Sequence, residues 1–492
     1  MKSNRIRKIF FVIFLSFTAN YAQQISLEDA VEFALAHNQK IKQYEAKLGQ
    51  KKYQNLEAFG NFLPKIDLVG SYTHLNEPLT IDLDPIRQAM IQMQSSNQVE
   101  FANIYNILQG NASLNDQERA GLYQQYSSNL NELLPAFQET LKKQDYKTAT
   151  IVGIQPLFTG GKILAAKKYA SLEEESAQVE LKLIHDEVVK ETTQKYLAVV
   201  LVKDVIKVRE DVLQLVTMHR NRAEKFLKQG LIANYNLLRA EVAVADAEKR
   251  LAEDKNKLDL AYLSLKSTMG LDLNESIEIY DSLTLKDSNV SLDTMISSAE
   301  KNNLVLKLLE LKKSAVDEKY NVERSNFLPT VAAFGKYELY PEYLSALEPR
   351  WAVGISLNLN LFNGLKDYSK LQSASYLIDE LDYLKADVEK KITLLVNKNF
   401  IDVKNAKENF LKNQKTVELA KENLRLNNKR FETGLGTSLE VVDASLSYEK
   451  TMIDSKTYIY EYYTSLSELY FNSGNAEMII TILSYEETKN EL

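Results

Sequence analysis

The chain has 492 residues, of which 26% are charged, and it contains 16 glycines, 8 prolines and no cysteine. So little glycine and proline is typical of long helices rather than of a loop-rich globular enzyme. The lack of cysteine excludes disulfides, thiol chemistry and a lipid anchor on an N-terminal cysteine, and a net charge of -7 without a basic patch argues against nucleic acid as a partner.

The first predicted element is a signal peptide, residues 1–22. A basic segment, residues 2–8, precedes an apolar run from Ile9 to Phe17, and small or polar residues lead to Ala22. This order is typical of secretory signal peptides, and the apolar run is too short for a membrane-spanning helix. We expect cleavage after Ala22 and a mature, exported chain that begins at Gln23.

The mature sequence consists of two copies of one unit, residues 23–290 and 291–492. Matched residues keep one spacing early in each copy and a shorter spacing later, which places an insertion in the first copy at about residues 74–148. The insertion is rich in Gln and Asn and is predicted to be an elaborated loop, partly helical or partly disordered. The matched pairs are Asn38 with Asn303, Asn61–Pro64 with Asn326–Pro329, Tyr72 with Tyr337, Phe158 with Phe362, Gly230–Leu231 with Gly434–Leu435, and Gly270 with Gly474.

Each copy is predicted to follow the same order of elements. A helix of about 35 residues ends before a proline, two strands follow, and a tract of nearly 70 residues without glycine or proline forms a helix about 100 Å long. A glycine turn then leads to a last helix. The lengths predict that each long helix lies beside two shorter ones placed end to end. The predicted helices span 26–60, 162–229 and up to 270 in the first copy, and 291–325, 365–433 and up to 474 in the second; the second copy has a short loop at about 341–350, and about 271–290 link the copies.

The strands alternate between apolar and small or polar residues, most regularly from Trp351 to Phe362. A strand of this length and pattern matches a transmembrane β-strand with one lipid-facing side. A soluble hairpin that packs its apolar face on the helices is the other interpretation. The predicted lipid-facing residues are Ile66, Leu68, Val331, Val353, Ile355, Leu357 and Leu359.

Aromatic residues at the strand ends favour the membrane interpretation, because outer-membrane barrels carry an aromatic girdle at each interface. Four strands cannot close a barrel in lipid, where open edges are not tolerated, so the sequence predicts an oligomer; three chains supply twelve strands. The predicted girdle residues are Phe62, Tyr72, Phe158, Phe327, Tyr337, Trp351 and Phe362.

Taken together, the duplication, the Asn-Phe-Leu-Pro entry to each first strand, the Leu-Phe-Thr-Gly-Gly and Leu-Phe-Asn-Gly exits and the Gly-Leu turns resemble the TolC-like outer-membrane efflux proteins. The resemblance implies an α+β membrane protein: a homotrimer with a twelve-stranded barrel, four strands per chain, continuous with a trans-periplasmic α-helical barrel. It also implies a passive exit duct in the outer membrane of a Gram-negative bacterium, with a large periplasmic part, which receives small molecules or exported protein from an inner-membrane transporter and a periplasmic adaptor.

The resemblance also assigns roles to residues at the two Gly-Leu turns. Periplasmic tips that contact the adaptor are expected at Gly230, Leu231, Asn236, Gly434, Leu435 and Gly436, and an acidic pore aperture is expected at Glu440 and Asp443. Related channels close their tips with an Arg and an Asp, but the matching positions here are Gly436 and Asn236. Closure is therefore expected to rest on packing around Phe431 and Leu439 instead.

No catalytic, cofactor or metal site is predicted. Gly160-Gly161-Lys162 lacks the remaining residues of a phosphate loop, and the four histidines have no metal-ligand spacing. The alternative function is a periplasmic coiled-coil adaptor or scaffold without channel activity. Such a protein would not need alternating strands bordered by aromatic residues.

Overall fold

A computed structural model describes residues 23–345 and 348–484 of the protein. The predicted signal peptide lies outside the described residues. The chain forms two compact units, and each takes segments from both halves of the sequence. The helical unit comprises the described residues up to Leu56, Ala166–Tyr320 and those from Leu371 on, and the sheet unit comprises Glu57–Ala165 and Asn321–Lys370.

The helices and strands are numbered in chain order. In the first half they are β1 (Gln23–Gln24), α1 (Leu27–His37), α2 (Gln39–Gly60), β2 (Lys65–His74), β3 (Leu79–Asp82), α3 (Asp84–Leu108), α4 (Asp116–Leu133), β4 (Gln138–Lys142), β5 (Asp145–Phe158), α5 (Lys162–Lys228), α6 (Asn234–Met269) and β6 (Ile277–Glu278). In the second half they are α7 (Leu292–Asn302), α8 (Leu304–Arg324), β7 (Thr330–Glu338), β8 (Trp351–Asn358), α9 (Lys366–Glu432), α10 (Ser438–Asn472) and α11 (Met478–Ser484).

The two long helices, α5 and α9, have 67 residues each and contain neither glycine nor proline. Both end in the same way. Gly230 and Gly434 adopt positive φ, and the amide of the following leucine donates to the carbonyl five residues earlier. This Schellman motif needs a residue in the left-handed region, which glycine occupies without steric cost.

Two shorter helices lie along α5, as their lengths predict. Pairs such as Lys47–Glu180 (2.5 Å) join one part of α5 to α2, and Arg209–Asp254 (2.9 Å) joins another part to α6. In the second half of the chain, Lys385 pairs with Glu310 of α8 at 2.9 Å, and α10 lies along the rest of α9. The exposed ion pairs define how the helices are aligned along one another but add little to the stability of the fold, because a surface ion pair contributes only about 0–1 kcal/mol.

The expectation of one continuous helix over 26–60, and another over 291–325, is wrong. Each is broken at a single asparagine, Asn38 or Asn303, whose backbone is extended. The asparagine amide donates to a backbone carbonyl near the end of the helix that follows the glycine turn of the same copy, Thr268 of α6 at 2.7 Å and Asn472 of α10 at 2.8 Å respectively. These long-range hydrogen bonds compensate for the interrupted helices.

A glycine completes each of these two helix joints. Gly270 and Gly474 have positive φ, and a Cβ on either would lie 2.6 Å from the backbone carbonyl oxygen of His37 or Asn302. Only glycine permits such close packing of two chain segments. The two joints therefore have the same construction, and their residues are among those that the internal repeat matches.

The largest core of the helical unit lies around these joints and the link at 271–290. Tyr196, Leu265 and Leu466 are almost fully buried there. Asp204 anchors the link by accepting from the Leu283 amide at 2.9 Å, and Lys456 of α10 contacts the same carboxylate at 3.0 Å.

In the sheet unit, the strands form an antiparallel sheet in the order β2-β5-β7-β8, so β2 and β8 are its edges. β8 ends at Asn358, earlier than the alternation predicts, and Leu359 and Phe362 lie beyond it. The alternation of apolar and polar residues in the sequence continues beyond Asn358, the last residue of β8 that pairs with β7.

The insertion is more regular than the predicted loop. A two-stranded ribbon, β3 with β4, carries a hairpin of the helices α3 and α4. The guanidinium of Arg87 donates to the carbonyls of Asn131 and Leu134 at 2.8 and 2.9 Å and so caps the end of α4. Asn115 and Glu118 form a capping box at its start. This capping box was the feature of the sequence from which a helix with a defined start could have been predicted.

Candidate functional site

The sheet gathers the predicted lipid-facing residues on one face. Residues paired across strands share a face of a sheet, and the register aligns Ile66, Gly153, Gly335 and Val353 in one row and Leu68, Ile151, Tyr337 and Trp351 in another. Val331 pairs with Leu357, and Ala333 pairs with Ile355. The apolar face therefore runs across all four strands.

This apolar face is strongly exposed. The exposed fractions of Val353, Ile355 and Leu357 lie between 69% and 74%. Tyr337 and Trp351 lie side by side at one end of the face, where the Arg350 guanidinium stacks on the Tyr337 ring at 5.0 Å. A soluble sheet would cover such a face, because leaving large apolar side chains in water costs about 25 cal/mol per Å².

The opposite face of the sheet is mostly small and polar, with Lys65, Asp67, Ser71, Lys336 and Ser356 among its residues. Two aromatic residues also lie on it, Phe334 of β7 and Tyr146 of β5, which pairs with Thr73. The Phe334 ring packs on the backbone of Gly354, where an added Cβ would lie 2.8 Å from the ring. The sheet is thus two-sided, and only one side suits an apolar environment.

The helical unit carries two exposed apolar stripes that the sequence analysis did not single out. On α9 the members recur at intervals of seven, eleven or eighteen residues, which are close to whole numbers of helical turns, so they share one face. They are Tyr376, Tyr383, Leu394, Ile401, Leu419 and Leu426 on α9, and Tyr235, Leu238, Val242 and Leu260 on α6. The same periodicity in the sequence could have shown both.

The turns between the paired helices expose a leucine each. Leu231 is 67% exposed and Leu435 is 77% exposed. Their backbones are fixed by the Schellman hydrogen bonds, which reach the carbonyls of Phe226 and Arg430 at 2.9 Å. The structure therefore presents an apolar side chain at each rigid turn.

Two other predicted tip residues are less accessible, since Asn236 is buried and Gly436 is half-buried. Asn236 is only 8% exposed, and a Cβ on Gly436 would lie 3.0 Å from Cβ of Arg430. Burial of Asn236 within the chain corrects its assignment to the surface that contacts a partner. Both residues instead support the local packing of the turns.

The two predicted aperture carboxylates differ in their surroundings. Glu440 forms a capping box with Thr437 at the start of α10, and Arg430 lies 3.4 Å from its carboxylate. The hydrogen bond from the Thr437 amide holds the pKa of Glu440 below its usual range, and the Arg430 charge adds to this effect. Asp443 is exposed one turn further along α10.

A buried aromatic cluster lies close to the turns. His219 of α5 is 2% exposed; its ring packs edge-on against Phe431 at 4.6 Å, and its Nε2 lies 2.8 Å from the Ser438 hydroxyl. Burial, together with the nearby Arg222 charge, lowers the pKa of His219 to about 4. Packing around Phe431 was expected, but no role was predicted for His219.

A second buried polar group links three helices further from the turns. Arg209 of α5 contacts Asp254 of α6 at 2.9 Å and Glu449 of α10 at 2.5 Å. Burial opposes ionisation of Asp254, yet hydrogen bonds from Lys257 and Arg209 outweigh it and lower its pKa. Removing either partner of such a buried pair leaves an uncompensated charge.

None of the helices within 23–345 and 348–484 combines the length and apolar character that a membrane crossing requires.

Residues 295–475 match the family described as Outer membrane efflux protein. This segment is an outer membrane efflux protein domain. No curated protein sequence matches the chain significantly. The family resemblance inferred from the Asn-Phe-Leu-Pro and Gly-Leu motifs is confirmed.

Solved structures of an outer membrane protein and of outer membrane channels share the fold over nearly the whole chain. The outer membrane protein VceC of Vibrio cholerae is 15% identical with a TM-score of 0.69, and the match covers 91% of this chain and 96% of that one. The CmeC outer membrane channel of Campylobacter jejuni is 14% identical with a TM-score of 0.70, covering 92% and 86%. The MtrE outer membrane channel of Neisseria gonorrhoeae, in its open state, is 12% identical with a TM-score of 0.67, covering 92% and 89%. At these identities the matches establish the fold.

Proposed function

We propose that three copies of this chain form a passive exit duct in the outer membrane of a Gram-negative bacterium. The duct would receive its substrate from an inner-membrane transporter through a periplasmic adaptor. The observation that carries the proposal is the sheet β2-β5-β7-β8, whose exposed apolar face extends across every strand and whose edges are β2 and β8.

In lipid, the edge strands of the sheet must hydrogen-bond to strands of other copies. Unpaired backbone groups cost several kcal/mol each in hydrocarbon, so an open sheet edge is not tolerated there. Pairing β2 of one copy with β8 of the next removes the edges, and three copies give twelve strands, a number that closes around an open lumen. The polar face with Lys65, Asp67 and Lys336 would then line the lumen.

The exposed stripes of the helical unit support the same assembly. α6 and α9 each carry large apolar residues on a face that the described part of a single chain leaves exposed. In a ring of copies, the α9 stripe of one chain would pack against a neighbouring chain. Burial of Leu394 and its stripe neighbours would contribute about 1.5–3 kcal/mol per side chain.

The remaining parts of the proposal, the adaptor contact and the aperture, concern the end of the helical unit that carries the two Gly-Leu turns, which we call the turn end. The adaptor is proposed to bind at the two Gly-Leu turns, where the exposed Leu231 and Leu435 provide an apolar surface. Glu440 and Asp443, three residues apart on α10, would form acidic rings around the aperture when three copies meet, and such rings favour cations. Because the matched family is described by efflux, small molecules are the proposed cargo, with exported protein as the second class.

Fractionation combined with conductance tests the proposal. The account predicts that the chain sediments with outer membranes, is extracted only by detergent, migrates as a trimer in mild SDS and forms ion-conducting channels in planar bilayers. Release as a monomer by osmotic shock, without conductance after purification, would instead support the scaffold alternative.

A further inference from the structure

The helical hairpin of the insertion has an apolar face that none of the residues 23–345 and 348–484 covers. One face of α3 packs on α4 through residues such as Ile91, Ser95 and Val99, which are buried. The opposite face exposes large apolar side chains along the whole helix, with exposed fractions between 47% and 78%. These are Ile86, Met90, Met93, Phe101, Ile104 and Leu108.

The hairpin is rigid enough to present this face in one orientation. Arg87 ties the start of α3 to the end of α4, and at the other end the Asn103 side chain accepts from the Leu114 amide at 2.9 Å. Near that end, Phe101, Ile104, Tyr105 and Leu108 line an open depression of about 610 Å³. The surface therefore combines an apolar stripe with a recess that can receive side chains.

We propose that the α3 faces of neighbouring copies pack against each other, so that the hairpins form a cap at the outer end of the duct. This inference rests on the proposed trimer. It commits to one occupant of the face, which is the α3 helix of another copy of this chain.

The position of the insertion favours this occupant. The ribbon that carries the hairpin connects β2 to β5, at the end of the sheet opposite Lys65 and Phe158. β2 is an edge strand, so it is the strand that meets the next copy when the sheet closes into a ring. Every hairpin is thus attached beside a subunit boundary, which gives the α3 helices a high effective concentration around one axis.

The charge of α3 also favours a second copy of itself. Around a symmetry axis each charge meets its own like charge, which is destabilising. From Gln88 to Leu108 the only charged residue is Glu100, and Arg119 of the same hairpin pairs with it at 2.5 Å. The stripe is otherwise flanked by Ser, Asn and Gln, which can hydrogen-bond to identical residues without repulsion.

A lipid surface suits this helix less well. Helices that lie on anionic membranes carry Lys and Arg on the polar face, often with Trp on the other. Here Arg87 is the only basic residue of α3; it is buried and already bonded to α4, and the helix has no Trp.

Cysteine cross-linking tests the proposal directly, because the chain has no cysteine of its own. Ile104→Cys places a thiol on the exposed face of α3, and Ser128→Cys places one on the exposed side of α4 as a matched control. Phe101→Cys and Leu108→Cys extend the scan along the stripe. Intact cells are treated with an oxidant or a short bismaleimide, and separately with a membrane-impermeant maleimide.

The inference predicts cross-linked dimers of the chain for the α3 variants, and labelling without cross-linking for Ser128→Cys. If trimers form but the α3 thiols label as fast as the Ser128→Cys control, the face is open to water and the inference fails. Protection without cross-linking would mean that lipid or another protein covers the face, and would also overturn it. Absence of a trimer from the unmodified chain would overturn the proposed function as well.

Discussion

At the scale of single residues, the two proposed aperture carboxylates differ. Glu440 has a structural role at the start of α10, whereas Asp443 has only the proposed role in ion selectivity. Glu440 caps α10 through Thr437 and Ser438 follows the cap directly, so its removal would disturb the turn as well as the charge. Asp443 is exposed and has no part in that capping box. It therefore isolates the electrostatic effect.

We predict that Asp443→Asn lowers the cation preference of the channel. If three copies place this carboxylate around the aperture, neutralising it removes one acidic ring and with it the attraction for cations. The reversal potential under a salt gradient in a planar bilayer measures the change, with Asp379→Asn on α9 as an exposed-carboxylate control. An unchanged reversal potential for Asp443→Asn would remove it from the aperture.

We predict that the turn end loses stability as the pH falls. The folded-state pKa of His219 is lowered from 6.5 to about 4, so the unfolded state binds the proton more readily between these values. The histidine's contribution is constant above pH 6.5 and is lost progressively on acidification to pH 4, by up to about 3 kcal/mol.

Hydrogen exchange of residues near 219–232 and 431–441, corrected for the intrinsic rate at each pH, measures this local stability. His219→Gln keeps a hydrogen-bonding side chain but does not titrate. The pH dependence should therefore shrink in that variant, and an equal dependence in both proteins would contradict the assignment to His219.

At the scale of elements, the repeated helix joint explains why the two halves share certain residues. Each joint combines an asparagine that breaks one helix with a glycine that ends another, Asn38 with Gly270 and Asn303 with Gly474. The glycine removes the Cβ that would strike the neighbouring carbonyl. The asparagine supplies the donor that holds the broken end in place.

We predict that Gly270→Ala destabilises the protein more than Gly230→Ala. Both glycines have a φ near +70°, so alanine costs about 1–2 kcal/mol of backbone strain at either position. Only at Gly270 would the new Cβ meet the His37 carbonyl, at 2.6 Å, which adds about 1–3 kcal/mol of overpacking. Denaturant unfolding of the detergent-solubilised protein compares the two. Equal destabilisation would show that the joint tolerates the added atom.

The sequence predicted those elements that local signals specify. The long helices, the glycine turns and the alternating strands follow from composition and periodicity within a few dozen residues. The breaks at Asn38 and Asn303 could not be predicted in the same way, since each depends on a carbonyl far away in the chain. The same reason explains the early end of β8, whose last residue pairs with the first residue of β7, and the burial of His219 and Asn236.

The insertion illustrates a different limit. Its Gln- and Asn-rich composition predicted an elaborated loop, partly helical or partly disordered, but Arg87 and the Asn115–Glu118 capping box stabilise two well-defined helices there. Amino-acid composition does not show where each residue stands, whereas the effect of a capping residue on a helix depends on its position. The exposed face of α3 was not predicted either, because no helix with defined ends was predicted over these residues.

At the scale of the whole molecule, the exposed stripes and the two-sided sheet are consistent with a chain that is complete only in an oligomer. We predict that Leu394→Asp, in the centre of the α9 stripe, weakens the trimer. A carboxylate buried at a helix seam loses its hydration without gaining a partner. Lys421→Asp, exposed on the opposite side of α9, serves as the control.

The fraction of trimer in mild SDS at increasing temperature measures the effect of Leu394→Asp. The account predicts dissociation at a lower temperature for Leu394→Asp and an unchanged value for Lys421→Asp. If both variants behave like the unmodified protein, the α9 stripe does not lie between copies.

The most direct test of the proposal that the sheet faces lipid uses the chain's single tryptophan, Trp351, which lies at one end of the apolar face. The protein is reconstituted into bilayers that contain phospholipids brominated at different depths, and its fluorescence is compared with quenching by aqueous iodide. The account predicts strong quenching by lipids brominated near the headgroups, weaker quenching by deeply brominated lipids and little effect of iodide. Efficient quenching by iodide with none by brominated lipid would place this face in water and contradict the account.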